Sequence, residues 1–288
     1  MNYQNEQIYN SYGKSERPFY LFIHVPKNAG TTLRSIVDFQ HGARNTITYY
    51  NQNSRQLLDN LDAMLATRRH DYQALIGHFK YGVHEGLSCD YRYVTFLRDP
   101  VARAISSYYE RRKTETSHFT KPNGTLMTLE ESLTVHRQSY DNQQLRFLLG
   151  KPEDETLTAA DVDCAIDILE REFLFTGLVE KFDQSILLLS KRIEWKPCSY
   201  RPLNQGSEHD INESDIEMVA ELNIYDRKLY DYVQEKIAAE IRDYGELFQD
   251  AFEEWMSARR SMEAGDRSEP VIEIGADKLP RVHRYFST

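Results

Sequence analysis

The chain alternates short, almost wholly apolar runs with longer stretches in which apolar residues recur every three or four positions. The first run is Phe19 to Val25, FYLFIHV, bounded by Pro18 and Pro26. A run of that length without polar alternation predicts a strand buried on both faces of a parallel sheet. From Thr31 onward Leu33, Ile36, Val37 and Phe39 keep helical spacing, so a short loop containing Gly30 should join strand to helix. Further buried strands are expected at Ala74 to Gly77, Tyr93 to Leu97 and Phe173 to Val179. Behind Leu97, Asp99-Pro100 pairs an N-cap acid with proline at the first helical position, and Val101, Ile105 and Tyr108 give the next helix an apolar stripe.

Residues 111–124 lack periodicity and read as a loop. Thr128 to Glu131 and Ser214 to Glu217 have capping-box spacing. The first should open a helix, and the second should head a long helix reaching about Ile241. Lys181 to Ile193 is a helix carrying Phe182, Ile186, Leu189 and Ile193 inward. Strands alternating with helices predict an α/β fold: a single domain with a central parallel sheet flanked by helices. The domain is expected over 19–250, with extensions at 1–18 and 251–288, the latter mixing charges with Gly, Pro and Ser.

Composition narrows the class. The 288 residues are 40% hydrophobic and 12% aromatic, far richer in aromatic rings than a disordered chain. No run approaches the roughly 18 apolar residues needed to span a bilayer, and the polar start MNYQNEQIYNSYGKSER lacks the apolar core of a signal peptide. No membrane association and a cytoplasmic location are therefore expected. Cys89, Cys164 and Cys198 are odd in number and lack CxxC spacing, which fits thiols in a reducing compartment. The histidines at 41, 70, 118, 136, 209 and 283 have no ligand spacing among them, so no metal is expected.

Thirty-five Lys and Arg against 45 Asp and Glu leave a net charge of -10, which weighs against a nucleic-acid partner. The charge is unevenly spread. Arg98, Arg103, Arg111, Arg112 and Lys113 make a cationic segment containing only Asp99 and Glu110 as acids, whereas 203–226 carries acids and no Lys or Arg. The acidic stretch reads as a solvated helix face, or more sharply as a field that repels anionic ligands.

The segment with the most chemistry is His24-Val-Pro-Lys-Asn-Ala-Gly-Thr-Thr-Leu33, between the first strand and the first helix. A loop there aims backbone N–H groups and the positive end of a helix dipole at an anion. Lys27 adds charge, Thr31 and Thr32 add hydroxyls, and Gly30 lets the backbone approach closely. The lysine precedes the glycine, so this P-loop-like segment is not a G-x-x-x-x-G-K-[ST] sequence. The second segment is Tyr93 to Tyr109: Arg98 closes a strand and Ser106 lies two turns into the following helix, so both can face one anion.

Together the two segments resemble the sulfotransferases that use 3′-phosphoadenosine 5′-phosphosulfate, in the branch containing bacterial sulfotransferases and the heparan sulfate O-sulfotransferases. The resemblance continues through Gly77 to His84, Asp141 to Gln143 and Thr176 to Phe182, covering about residues 19–235. It implies that Lys27, Asn28, Ala29, Gly30, Thr31 and Thr32 bind the 5′-phosphosulfate and that Arg98 and Ser106 bind the 3′-phosphate. The product would be 3′-phosphoadenosine 5′-phosphate, and no metal is implied. Asn28 stands where many relatives carry Thr or a small residue, yet its backbone amide remains.

Sulfuryl transfer needs in-line positioning, charge stabilisation on the leaving phosphate and a base for the acceptor proton. Lys27 supplies the cation. His78, closing the second expected strand, is the candidate base, and the resemblance implies the same role; His84 is the second choice and an acceptor contact. The plainer reading of either histidine is a hydrogen-bonded core group. His24 should pack within the strand and bond the backbone. Asn142 and Gln143, with Arg146, lie on a helix whose apolar face is Leu145, Leu148 and Leu149, and are either acceptor contacts or surface polar groups. Tyr108 and Tyr109 should be core. The expected acceptor is a hydroxyl, less readily an amine, of a small metabolite or carbohydrate, neutral or cationic before polyanionic. The competing readings are a nucleotide-dependent kinase with a P-loop-like start, and a non-catalytic nucleotide- or glycan-binding relative.

Overall fold

The computed structural model describes residues 17–50, 55–68, 71–195, 200 and 211–264. Its five strands are β1 (Phe19–Ile23), β2 (Thr46–Tyr49), β3 (Ala74–Gly77), β4 (Tyr91–Leu97) and β5 (Phe173–Leu178). They form one sheet in the order β2-β3-β1-β4-β5, parallel throughout. β1 sits in the middle, with Ile23 opposite both Gly77 and Thr95, so both its edges are paired, and the helices cover both its faces, leaving every residue of FYLFI buried. That burial is what the unbroken apolar run encodes.

The helices are α1 (Gly30–His41), α2 (Arg55–Asp59), α3 (Leu61–Arg68), α4 (Pro100–Thr114), α5 (Leu129–Val135), α6 (Gln143–Leu149), α7 (Ala159–Glu172), α8 (Phe182–Ile193), α9 (Glu213–Leu222), α10 (Ile224–Tyr244) and α11 (Glu246–Ala264). The sheet and the helices around it bury one large apolar core, while α4, α5 and α9 enclose a satellite cluster around Tyr108, Phe119, Leu133, Tyr140 and Val219. Asp99 caps α4 as expected, its side chain accepting from the Ala102 amide with Pro100 in the first turn, and Thr128 and Glu131 close the capping box of α5.

Several expectations need correction. The chain beyond Gly30 leaves Phe39 exposed, because the buried stripe of α1 runs through Leu33, Ile36, Val37 and His41. The buried face of α4 is Arg103, Ala104, Ser107 and Tyr108; Val101, Ile105 and Tyr109 are half-buried at its margin. The helix also runs to Thr114, with a 3-10 turn at Thr116–Phe119, so much of 111–124 is helical. The long helix expected from Ser214 is two: α9, capped by Asn212 accepting from the Asp215 amide, stops at Leu222, and α10 restarts after Asn223. The boundary expected at 250 falls inside α11, whose Phe248, Ala251 and Trp255 lie in the main core. Cys198, residues 203–210 of the acidic stretch and the outer parts of both expected extensions lie outside the described residues.

The strand order fixes where a ligand goes. The chain leaves β1 toward the β3–β2 side and leaves β4 toward β5, so the two adjacent central strands send their connections in opposite directions. Their carboxyl ends are the usual binding position of an open parallel α/β sheet. The Lys27 loop and Arg98 both lie there.

Candidate active site

The loop from Val25 to Ala29 is built by two residues in the left-handed region, Lys27 at φ 74° and Ala29 at φ 56°. Ala29 directly precedes α1, and no side chain caps that helix. This is the arrangement in which first-turn amides and the dipole's positive end receive an anion. Gly30 is required for a local reason: a Cβ there would fall 1.7 Å from the His24 ring. His24 thus packs its ring onto the glycine, and the loop can turn only because position 30 has no side chain. Thr31 is exposed at the head of α1 and Thr32 is buried.

Asn28 is 1% exposed and holds the loop from below, its amide donating to the Phe96 carbonyl at 2.7 Å and to Gln144 Oε1 at 2.8 Å. Arg98, at the end of β4, turns its guanidinium to the same loop and donates to the Lys27 carbonyl at 3.0 Å. Burial lowers the Arg98 pKa below its ordinary value, with Glu180 and Asp99 opposing. Ser106 is half-buried on α4. Lys27 Nζ forms an ion pair with Glu110, which lies one turn beyond Ser106 on the same helix.

His78 follows Gly77 directly, so the end of β3 delivers it to the same sheet edge. Its backbone amide donates to the Tyr49 carbonyl at 2.7 Å, and a Cβ on Gly77 would lie 1.9 Å from that oxygen, so β2 and β3 meet here with no room for a side chain. The exposed His78 ring stands 4.7 Å from the His24 ring and 4.9 Å from that of Tyr50, centroid to centroid. Desolvation pushes His78 down to about 4, with the Glu110 carboxylate opposing. His78 is therefore proton-free at pH 7, as a base must be, though weaker than an unperturbed imidazole, and Glu110 is the group that strengthens it. His24, buried, is pushed to about 3 by desolvation first and then by His78 and Lys27. The His24 backbone amide donates to the Gly77 carbonyl at 2.9 Å, as expected of a packed strand residue, but neither ring nitrogen has a partner, and the buried Tyr50 hydroxyl has none either.

Other expected contacts lie elsewhere. His84 bonds the Tyr93 hydroxyl through Nδ1 at 2.9 Å and through its backbone amide at 3.1 Å, among the rings of Tyr81 and Tyr91. That anchors it to the middle of β4, below the strand end that carries Arg98. Asn142 is 3% exposed and saturated: its Oδ1 accepts from the Tyr225 and Asp226 amides at 2.9 Å, and its Nδ2 donates to Leu222 and Asp141. No atom of that side chain remains for an acceptor. Gln143 is buried and donates to the Gln138 carbonyl. Asp226, expected on a solvated acidic face, is fully buried and accepts from the Gln144 and Leu145 amides at 3.1 and 2.8 Å. Burial raises its pKa, and the buried Arg103 opposes that shift.

Three site residues escaped the sequence reading. Glu110 has a usable signal, since it shares a helix face with Ser106 in an otherwise basic segment. Gln144 lies four residues before Leu148, on the inward stripe, so helical period alone places it inside. Tyr50 follows a strand, β2, whose four residues are too few to show a period.

No group of three or more His, Cys, Asp or Glu side chains able to hold a metal occurs among the described residues, nor is any described helix long and apolar enough to cross a membrane. The fold resembles that of a sulfotransferase from Alicyclobacillus acidocaldarius at 14% identity and a TM-score of 0.47, covering 76% of this chain and 96% of that one. Mouse sulfotransferase SULT7A1 complexed with PAP matches at 12% identity and a TM-score of 0.35, over 73% of this chain and 66% of that one. Retinol dehydratase in complex with androsterone and the inactive cofactor PAP matches at 12% identity and 0.32, over 88% and 84%. No curated protein sequence matches. The sequence itself matches the family model for galactose-3-O-sulfotransferase from residue 20 to residue 264, a span that holds the loop, β3 with His78, the Arg98 strand end and all of α4 and α6, and the chain belongs to that sulfotransferase family.

Proposed function

We propose that the protein transfers a sulfuryl group from 3′-phosphoadenosine 5′-phosphosulfate to a carbohydrate or small-metabolite hydroxyl. The observation that carries this reading is the meeting, at the switch point of the sheet, of an uncapped helix N-terminus, Lys27 and an Arg98 already bonded to the loop. Two anion sites on adjacent strand ends suit a nucleotide with two separate phosphates. The backbone of 28–32 and Lys27 would hold the 5′-phosphosulfate, and Arg98 with Ser106 the 3′-phosphate. His78 would take the acceptor proton as the acceptor oxygen bonds to sulfur. The S–O bond to the phosphate breaks, and Lys27 stabilises the charge left on that oxygen. Family membership makes a galactose-bearing carbohydrate the first acceptor to test. We place the protein in the cytoplasm and expect neutral or cationic acceptors to be favoured.

Thermal unfolding with 3′-phosphoadenosine 5′-phosphate tests the reading. Filling both sites should stabilise the native state by about 2.7 kcal/mol at a hundredfold excess over Kd. His78→Asn should keep that shift while losing about 10²–10⁴-fold in turnover, because a base acts in the transition state. Stabilisation by ATP and magnesium but not by the bisphosphate would turn the assignment to a kinase.

A further inference from the structure

The two halves of the proposed nucleotide site come from loops far apart in sequence, and one buried side chain touches both. Gln144, the second residue of α6, is 0% exposed. Its Oε1 accepts from the Arg98 amide at 2.9 Å and from Asn28 Nδ2 at 2.8 Å, while its Nε2 donates to the Arg98 carbonyl at 2.8 Å. A primary amide offers an acceptor and a donor side by side at every pH, without having to be protonated first. It pairs both backbone groups of Arg98 as a neighbouring strand would, and takes the loop asparagine on the remaining lone pair. Of the other ties between the two halves, Arg98 Nη1 to the Lys27 carbonyl and Lys27 Nζ to Glu110 use cationic donors that an incoming phosphate would also engage, while Asn28 Nδ2 to the Phe96 carbonyl works alongside Gln144 from the loop side. The Gln144 bonds use backbone and amide groups that a ligand does not need.

α6 is itself fixed in place. Asp226 at the start of α10 accepts from the Gln144 and Leu145 amides, and Asn142 accepts from the Tyr225 and Asp226 amides, so the two helix starts cap each other. The Phe147 carbonyl also accepts from the Tyr81 amide at 2.8 Å, which pins the segment following His78.

We infer that Gln144 is a positioning residue that sets the spacing between the two anion sites and so makes the protein selective for a nucleotide carrying both phosphates. This rests on the site assignment of the preceding subsection. The mechanism is effective concentration: with both sites held in register, binding one phosphate delivers the other at no further orientational cost.

The experiment compares Kd for 3′-phosphoadenosine 5′-phosphate with Kd for adenosine 5′-phosphate, by calorimetry, in the wild type, Gln144→Met and Asn28→Ala. Wild type should prefer the bisphosphate strongly; if it does not, the site assignment fails and the inference falls with it. Gln144→Met keeps the volume and removes all three hydrogen bonds. It should weaken the bisphosphate about tenfold and adenosine 5′-phosphate much less, so that the ratio of the two constants collapses. A residue that merely supports the fold would lower the melting temperature and leave the ratio at its wild-type value, and that result overturns the inference. Asn28→Ala, which removes the loop's bonds to both Gln144 and the Phe96 carbonyl and leaves the pairing of Gln144 with Arg98 in place, should move the ratio the same way. If Gln144→Met does not fold, the Asn28→Ala ratio decides, and an unchanged value there counts against the proposal.

Discussion

Lys27 reaches Glu110, and a carboxylate there competes with any anion that the lysine is to receive. An exposed pair of this kind contributes about 0.2–1 kcal/mol. Glu110→Gln should therefore tighten the bisphosphate nucleotide by about two- to fivefold at low salt, with the gain shrinking as salt screens the pair. Titrating the variant at two ionic strengths checks it; weaker binding would mean that Glu110 supports the loop instead of opposing the ligand. His24 gives a second test at this scale, because the folded state keeps it neutral down to about 3 while the unfolded chain takes up its proton near 6.5. Between those values the unfolded state binds more protons, so stability rises with pH and is lost as pH falls from about 6.5 toward 3. Between pH 7 and pH 5 this one group should cost the wild type about 2 kcal/mol. His24→Asn should show a pH dependence of urea unfolding smaller by that amount. An identical dependence in the two proteins would mean that the ring is hydrated in the native state.

At the scale of elements, what was legible follows from how completely an element is buried and how long it is. β1, β3 and the inner end of β4 announce themselves because a strand covered on both faces reads as a buried apolar run, and β5, though at the sheet edge, is long enough for its apolar FLFTGL to show. β2 lies at the sheet edge with Tyr49 half-buried, and TITY resembles many loop sequences. The loop and Arg98 were visible as residues in a spacing, whereas the fate of Asn142 was not. Whether an amide faces a ligand or caps a helix depends on what long-range packing brings to it, and α10 arrives from some eighty positions away. The break between α9 and α10 has the same origin: Asn223 is 1% exposed and donates back to the Val219 carbonyl at 2.9 Å, while Asn142 caps the restart from across the interface. Asn142→Ala removes the acceptor for two amides of α10. It should cost about 1–2 kcal/mol in unfolding free energy and leave the KM for acceptor unchanged. A raised acceptor KM in a protein of normal stability would restore Asn142 to the acceptor site.

The whole molecule carries a net charge of -10, and its distribution around the site sets which acceptors can approach. The cationic segment of α4 is less available than its sequence suggests. Arg103 is 1% exposed, Arg111 is paired with Glu115 over the Phe119 ring, Arg112 leans on Tyr108, and Arg98 faces the loop. Against α4 packs α9, through Val219 and Leu222, with Glu213, Glu217 and Glu221 exposed. Most of this positive charge is thus buried, paired or turned to the loop, while negative charge lines the flank; under the proposed function that arrangement would admit a small doubly phosphorylated donor and repel a long anion. The KM for a sulfated or carboxylated polysaccharide fragment should therefore exceed that for a neutral oligosaccharide offering the same hydroxyl. Added salt should lower the first by screening repulsion over the Debye length and leave the second nearly unchanged, measured with donor saturating at each ionic strength. A polyanion that binds tightly at low salt and loosens as salt rises would show attraction, placing the acceptor over Arg112 and Lys113 at the end of α4 and away from the acidic face of α9.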